Sequence, residues 1–365
     1  MSGTLYRFYA GGNTAQGYSS LLHSSLQGLE HLYVLQGGAG LGKYCDLRSI
    51  GERLAAAGEE VWMIYCSSDP NALDGIIVPG PKIGIIDGTT PNAIIPQVTG
   101  VSVRVVNLDE AYTEHRLEAL APEIEKLNGE ISRGYEAAYS GFDEALRVHD
   151  EWEKVYIANM DYRAADELTQ ECILLLLGDQ ARERSGRVDH RFLGAATPQG
   201  AVDFVPVLTE GLKRYLLKGR PGSGKSTLLK KLASAAAERG FDVEIYHCGF
   251  DPNSLDMVIV RELGFAIFDS TAPHEYFPDR PTDEIIDMYE RCIAPGTDEV
   301  HSDTLAPIKQ QYAAAMKQSI GQLTETRALQ DRLEQLYVQT LDTAILERIT
   351  EEFKQEMTRL AAIRI

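Results

Sequence analysis

The sequence has little of what marks secreted, membrane-spanning or zinc-binding proteins. Its five cysteines are odd in number and form no CxxC pair, which argues against a disulfide framework or a zinc site. The longest compact apolar run, Cys172–Leu177, is far too short to span a bilayer. The N-terminal segment has no long apolar stretch, so we expect no signal peptide, free thiols and a cytoplasmic location.

Positive charge is also scarce. The chain has 35 Lys and Arg residues against 54 Asp and Glu residues, and its net charge is −19. Such a chain is not expected to bind nucleic acid or an acidic membrane through a basic face. Nucleotides are not excluded, because the backbone amides of a glycine loop bind phosphate locally. Hydrophobic residues make up 44% of the 365 residues, enough for the cores of two domains.

One stretch points directly to phosphate chemistry. Gly219–Thr227 reads GRPGSGKST and fits the pattern G-x-x-x-x-G-K-[ST]. A segment suited to a buried strand, Leu212–Leu217, precedes it, and a helical pattern, Ser226–Arg239, follows it. This context predicts a loop whose amides cradle the phosphates of ATP at the start of a helix. The predicted nucleotide-binding residues are Gly219, Pro221, Gly222, Ser223, Gly224, Lys225, Ser226 and Thr227.

The chain also repeats itself. Gly37–Cys45 (GGAGLGKYC) corresponds to the glycine loop, with Lys43 and Lys225 separated by 225 − 43 = 182 residues. The same offset aligns the two CxxDPxxLD blocks, which begin at Cys66 and Cys248. Further along, HDEWEKVYIANMD (149–161) matches QDRLEQLYVQTLD (330–342) at an offset of 181. A period of this length predicts two copies of one domain rather than a solenoid.

Within each copy, strand patterns alternate with helical ones, which predicts a mostly parallel sheet flanked by helices. Each copy closes with a polar helical segment, 111–177 and roughly 304–360, which we interpret as a hairpin serving as a stabilising arm, a lid or a homo-oligomer contact. The expected fold class is therefore α/β, with two tandem P-loop NTPase domains at 1–182 and 183–365, each carrying a C-terminal helical hairpin.

Two residues are candidates to hold Mg²⁺. Ser226 offers a hydroxyl from the first turn of the predicted helix, and Asp269 ends the apolar strand Phe265–Asp269, where a second acidic ligand is expected. The alternative for Asp269 is an ordinary turn or cap residue. The next residue is Ser270 and not Glu, so the carboxylate that often activates water in ATPases is missing at that position. This predicts slow hydrolysis or an acceptor other than water.

Further polar residues are open to two interpretations. Asp251 and Asp256 follow the second strand, where a carboxylate can act as a base, bind an acceptor hydroxyl or support a metal. The Asp-Pro-Asn sequence is equally typical of a turn. His274 is either a catalytic or phosphate-sensing residue or an ordinary loop residue. Arg261 and Arg280 are candidate cations for the transition state.

The first glycine loop has diverged from the pattern. Tyr44 occupies the Ser/Thr position and cannot present the same Mg²⁺ ligand, and Ala39 stands where the second loop has Pro221. We interpret the first site as impaired. It either binds nucleotide without efficient turnover or keeps the loop only for folding, which suggests a regulatory role for the first copy.

The motif GRPGSGKST, the CxxDPxxLD blocks, the D-x-T-x-P strand ends and the HDEWEKVY block together resemble an uncharacterised bacterial family of tandem P-loop proteins, usually labelled hypothetical ATPases. The resemblance implies a P-loop NTPase fold and ATP binding at the second loop. The main hypothesis is a Mg²⁺-dependent ATPase with Lys225, Asp269 and Asp251 as catalytic residues. The alternatives are a kinase for a small-molecule or nucleotide acceptor, and a non-enzymatic nucleotide-dependent switch or assembly module.

Overall fold

The computed structural model describes residues 3–91, 93 and 99–362. The first half contains β1 (Leu5–Tyr9), β2 (Gly11–Thr14), β3 (Gly17–Ser20), α1 (Leu22–Ser25), β4 (His31–Gln36), α2 (Leu47–Ala56), β5 (Val61–Tyr65), β6 (Leu73–Val78), β7 (Ile83–Asp87), β8 (Ser102–Asn107), α3 (Glu114–Ile157) and α4 (Tyr162–Leu177).

The second half repeats this order and adds two short helices before its long one. Its elements are β9 (Val188–Phe192), β10 (Gly194–Thr197), β11 (Gly200–Asp203), α5 (Val205–Leu208), β12 (Lys213–Lys218), α6 (Lys225–Glu238), β13 (Val243–His247), β14 (Leu255–Val260), β15 (Phe265–Asp269), β16 (Glu284–Asp287), α7 (Met288–Cys292), α8 (Thr297–Val300), α9 (Ser302–Gln339) and α10 (Thr343–Ala362).

Twelve of these strands form one sheet, in the order β16-β12-β15-β14-β13-β9-β1-β5-β6-β7-β4-β8. The α/β class is therefore confirmed. The sheet is mixed, with six parallel and five antiparallel pairings between neighbouring strands. The strands β6 and β14 run antiparallel to both of their neighbours. The sequence left the residues after β13 open between site residues and a turn, and it predicted no strand there. A connection as short as residues 66–72 can join only antiparallel strands, since a parallel crossover needs a dozen residues or more.

The two halves join through β1 and β9. These strands pair antiparallel at their last residues, Tyr9 opposite Phe192. Both are carboxyl-terminal strand ends, so the rims on which α/β proteins bind ligands face a common central region.

The prediction that each copy carries its own helical hairpin is wrong. The long helices α3 and α9 instead pack against each other, antiparallel, across the two halves. Small side chains allow a close approach, since a Cβ on Gly134 would collide with Thr326 and one on Gly141 with Ser319. Fully buried Phe142 lies in the apolar seam between the helices. The periodic apolar stripe that suggested a hairpin was real, but its partner lies in the other half.

The helices that follow the long pair are exchanged between the halves. Leu168, Cys172 and Leu177 of α4 lie in the core beside β12 and α6 of the second half. Phe353 and Met357 of α10 lie in the core of the first half. Each glycine-loop region is therefore covered by helices that its own half does not supply.

Two further expectations concern the cysteines and membrane-spanning helices. All five cysteines are free thiols, four of them buried. Among the helices that the structure describes, none combines the length and the apolar character required to cross a bilayer.

Candidate functional site

The second glycine loop connects β12 to α6 and is shaped by its glycines. Gly222 and Gly224 have φ angles of +74° and +89°, a region that favours glycine, and Gly224 caps the helix. A Cβ on Gly219 would collide with the Ser223 hydroxyl, so the loop closes tightly on itself. The first amides of α6 have no partner within the helix and lie at its positive end. The local geometry is that of an anion-binding loop.

Lys225 lies across this loop. Its Nζ donates a hydrogen bond to the carbonyl oxygen of Arg220 at 3.0 Å and lies 3.5 Å from Oδ2 of Asp269. The juxtaposition follows from the sheet, because β12 and β15 are parallel neighbours with Leu217 opposite Asp269. The structure thus places the predicted acidic strand end beside the loop lysine.

Ser226, the second residue of α6, and Asp269, the last residue of β15, both present oxygen atoms near the second loop. The Ser226 hydroxyl accepts a hydrogen bond from the Leu255 amide at 2.9 Å and keeps a second lone pair and its own proton. Oδ1 of Asp269 accepts from the amide and the hydroxyl of Thr271, at 3.0 and 2.6 Å. These bonds are those of a turn aspartate. They occupy Oδ1, and Oδ2 is the atom that lies near Lys225. Thr227 is exposed on α6.

Asp256 is the buried acid of this region. It is the second residue of β14, so the turn interpretation does not apply to it. Burial raises its pKa to about 7, and the charge of Asp269 acts in the same direction, against the hydrogen bond with Cys248. Sequence could not reveal this shift, because it arises from the depth of β14 in the sheet.

Asp251 behaves as a turn residue. Its carboxylate accepts hydrogen bonds from the Asn253 amide at 3.0 Å and from the Ser254 hydroxyl at 2.7 Å. These bonds hold the Asp-Pro-Asn turn between β13 and β14. The charge of Asp251 also acts on His149, and its predicted catalytic role stays a prediction.

His274 belongs to a group that the sequence did not predict. Its Nδ1 lies 2.7 Å from Oδ2 of Asp203, and the Tyr276 hydroxyl donates to Oδ1 of Asp203 at 2.6 Å. Burial alone would lower the pKa of His274, but the hydrogen bond to Asp203 and the charges of Asp203, Asp256 and Asp269 raise it. A histidine oriented by a carboxylate beside Asp269 can act as a proton acceptor or donor.

The two candidate arginines serve structural contacts. Arg261 pairs with Glu244 at 2.5 Å and stacks over the ring of Tyr6. Arg280 donates to the carbonyl oxygen of Thr209 at 2.9 Å. Neither contact supports a role in stabilising transition-state charge.

The end of α3 rests on the second loop. A Cβ on Gly222 would lie 2.7 Å from the carbonyl oxygen of Glu153 and 3.0 Å from its Cα. His149, one turn earlier on α3, lies 3.8 Å from the Glu153 carboxylate. Burial lowers the pKa of His149, and the charge of Lys225 adds to this effect, while the charges of Glu153, Asp150 and Asp251 oppose it. Sequence reasoning missed these residues, although the recurrence of the HDEWEKVY block was a signal.

The second loop region has hydrogen-bond donors suited to phosphate and oxygen ligands suited to Mg²⁺. Within the described residues, the buried Ser223 hydroxyl has no hydrogen-bond partner. The amides at the start of α6 lie next to it, and together they suit phosphate oxygens. Ser226 and Asp269 supply the hydroxyl and carboxylate oxygens that Mg²⁺ prefers. The residues present therefore fit both groups.

The first loop has a different backbone. A 3₁₀ turn, Leu41–Cys45, replaces the start of the helix, and α2 begins only after Asp46, whose φ is +53°. The Asp87 carboxylate lies so close to Gly42 that a Cβ there would collide with it. Lys43 pairs with Glu334 of α9 at 3.2 Å. No helix N-terminus follows directly on this loop.

A cavity of about 160 Å³ lies at this first loop. Its charged lining residues are mostly acidic: Asp46, Asp69, Asp87 and Glu334, against Lys43 and Arg48. Arg327 of α9 pairs with both Asp69, at 3.0 Å, and Glu334, at 3.1 Å. A cavity with this charge is poorly suited to a triphosphate, since like charges repel at close range.

Comparison of the chain with models of known protein families, with curated proteins and with solved structures finds no match. The resemblance to a tandem P-loop family therefore stays a prediction. Any function has to be argued from the geometry of the two loops and of the helices that cover them.

Proposed function

We propose that the second half of the chain binds ATP with Mg²⁺ at Gly219–Ser226 and hydrolyses it, while the first loop binds no triphosphate. The observation that supports this most is the position of Lys225, 3.5 Å from Asp269 at the ends of adjacent parallel strands. In P-loop enzymes a lysine at the phosphates and an acid at the metal occupy such positions.

In the proposed site, positively charged groups and oxygen ligands have separate roles. The loop amides and Lys225 would neutralise phosphate oxygens, where positive charge in a partly buried site favours the transition state. Ser226 and Asp269 would hold Mg²⁺, which when bound offsets the charge between the β- and γ-phosphates. Lys225 is only about one-tenth exposed, so its charge acts with little screening by solvent.

The proposal is tested by steady-state ATP hydrolysis with two matched variants. Lys225→Ala removes the ammonium group of the second loop, and we expect kcat/KM to fall at least about 100-fold, the effect of losing one stabilising donor. Lys43→Ala makes the same change at the first loop and should alter kcat/KM less than about threefold, because Lys43 is half-exposed and points to Glu334. Turnover that persists in Lys225→Ala would contradict the assignment.

A second candidate function, phosphoryl transfer to a small-molecule hydroxyl, is favoured by the pair of Asp203 and His274. This pair lies beside Asp256 and Asp269, where a base could accept the proton of an acceptor. Radiolabelled ATP incubated with Mg²⁺ and a metabolite extract separates the two functions. Label in a phosphorylated metabolite supports transfer, and label only in inorganic phosphate supports hydrolysis.

A further inference from the structure

The long helix of the first half reaches the loop of the second. Glu153 of α3 contacts Gly222 through its backbone, and its carboxylate is about one-third exposed. This position matters because the sequence offers Ser270, not Glu, after Asp269. If hydrolysis takes place at the second loop, the carboxylate that prepares the water must come from elsewhere.

The first loop shows what a carboxylate at this helix position can reach. Glu334 of α9 is the repeat counterpart of Glu153, at the offset of 181 residues. It packs against Gly40, and its Oε2 lies 3.2 Å from Nζ of the loop lysine, Lys43. At the first loop, a glutamate at this helix position therefore contacts both the glycine loop and its lysine.

The two glutamates differ in how they are neutralised. Glu334 is paired with Arg327 as well as with Lys43, while the counterpart of Arg327 in the first repeat is Leu146. The Oε1 atom of Glu153 lies 3.8 Å from Nδ1 of His149, which is charged only when it is protonated. Among the described residues, the Glu153 carboxylate thus forms no ion pair with an arginine, and Glu153 lies at the second loop.

We infer that Glu153, aided by His149, orients and deprotonates the attacking water at the second loop, so that the first half completes the site of the second. This inference rests on the proposed hydrolysis. The carboxylate accepts a proton as the water oxygen bonds to the γ-phosphorus and the bond from that phosphorus to the bridging oxygen of ADP breaks. ADP and inorganic phosphate leave, and His149 relays the proton to solvent.

The test compares Glu153→Gln with Glu151→Gln in single-turnover hydrolysis and in equilibrium ATP binding. Both variants make the same change on α3, but Glu151 is exposed and pairs with Lys154 at 2.5 Å. We expect Glu153→Gln to lower the hydrolysis rate constant at least about 100-fold, as the loss of a general base does, and to change the Kd for ATP less than threefold. Glu151→Gln should change neither by more than about twofold.

Two results would overturn the inference. One is hydrolysis at the wild-type rate by Glu153→Gln. The other is an equal loss of rate and of ATP affinity, which would indicate a structural role. Lys225→Ala separates this failure from that of the proposed function. If Lys225→Ala is inactive and Glu153→Gln is normal, only the role of Glu153 is wrong, whereas a wild-type chain that hydrolyses no ATP contradicts the proposed function itself.

Discussion

The packing of α3 against the second loop can be tested by adding one methyl group at Gly222 and measuring the free energy of unfolding. Gly222→Ala places a Cβ 2.7 Å from the carbonyl oxygen of Glu153 and 3.0 Å from its Cα, atoms that cannot rotate away. The φ of +74° costs an alanine about 1–2 kcal/mol. Overpacking against the helix adds about 1–3 kcal/mol. We expect Gly222→Ala to lower the free energy of unfolding by about 2–5 kcal/mol in total.

Gly264→Ala is the matched control. Its φ of +73° is nearly the same, but the space around a Cβ there is open. It should therefore cost only the backbone strain of about 1–2 kcal/mol. Urea unfolding followed by circular dichroism gives both values, and hydrogen exchange at the end of α3 should rise in Gly222→Ala alone. Equal losses in the two variants would refute the packing of α3 on the loop.

Two other predictions concern stability. Burial raises the pKa of Asp74 from 3.8 to about 7. Between these pH values the folded state binds more protons than the unfolded state, so the free energy of unfolding falls as the pH rises from about 4 to 7. Asp74→Asn should make that fall shallower in urea titrations at several pH values. Phe142→Ala, in the seam of α3 and α9, should cost about 3–5 kcal/mol of unfolding free energy. The exposed Leu174→Ala should cost less than about 0.5 kcal/mol, and a similar loss in both would contradict a buried seam.

Sequence predicted the local elements of the second loop well. The glycine pattern, the apolar strand before it and the helix after it all appear, because each depends on neighbouring residues only. The position of Asp269 beside Lys225 also followed, since parallel strands end at a common edge.

What sequence could not predict depends on contacts between distant segments. The stripe on α3 indicated a buried helix face, but nothing in its spacing identified α9 as the partner. The antiparallel strands β6 and β14 were hidden because their acidic residues, Asp74 and Asp256, resembled turn residues. Glu153 and Asp203 were missed for the same reason, because each reaches the loop region from a distant part of the chain.

Only the second of the two loops is proposed to bind a triphosphate. Titration calorimetry of the whole chain with Mg²⁺ and a non-hydrolysable ATP analogue measures this directly, as a stoichiometry. We expect one nucleotide per chain, with binding lost in Lys225→Ala and kept in Lys43→Ala. Two nucleotides per chain, no binding at all, or binding that survives Lys225→Ala would show that this assignment of the two loops is wrong.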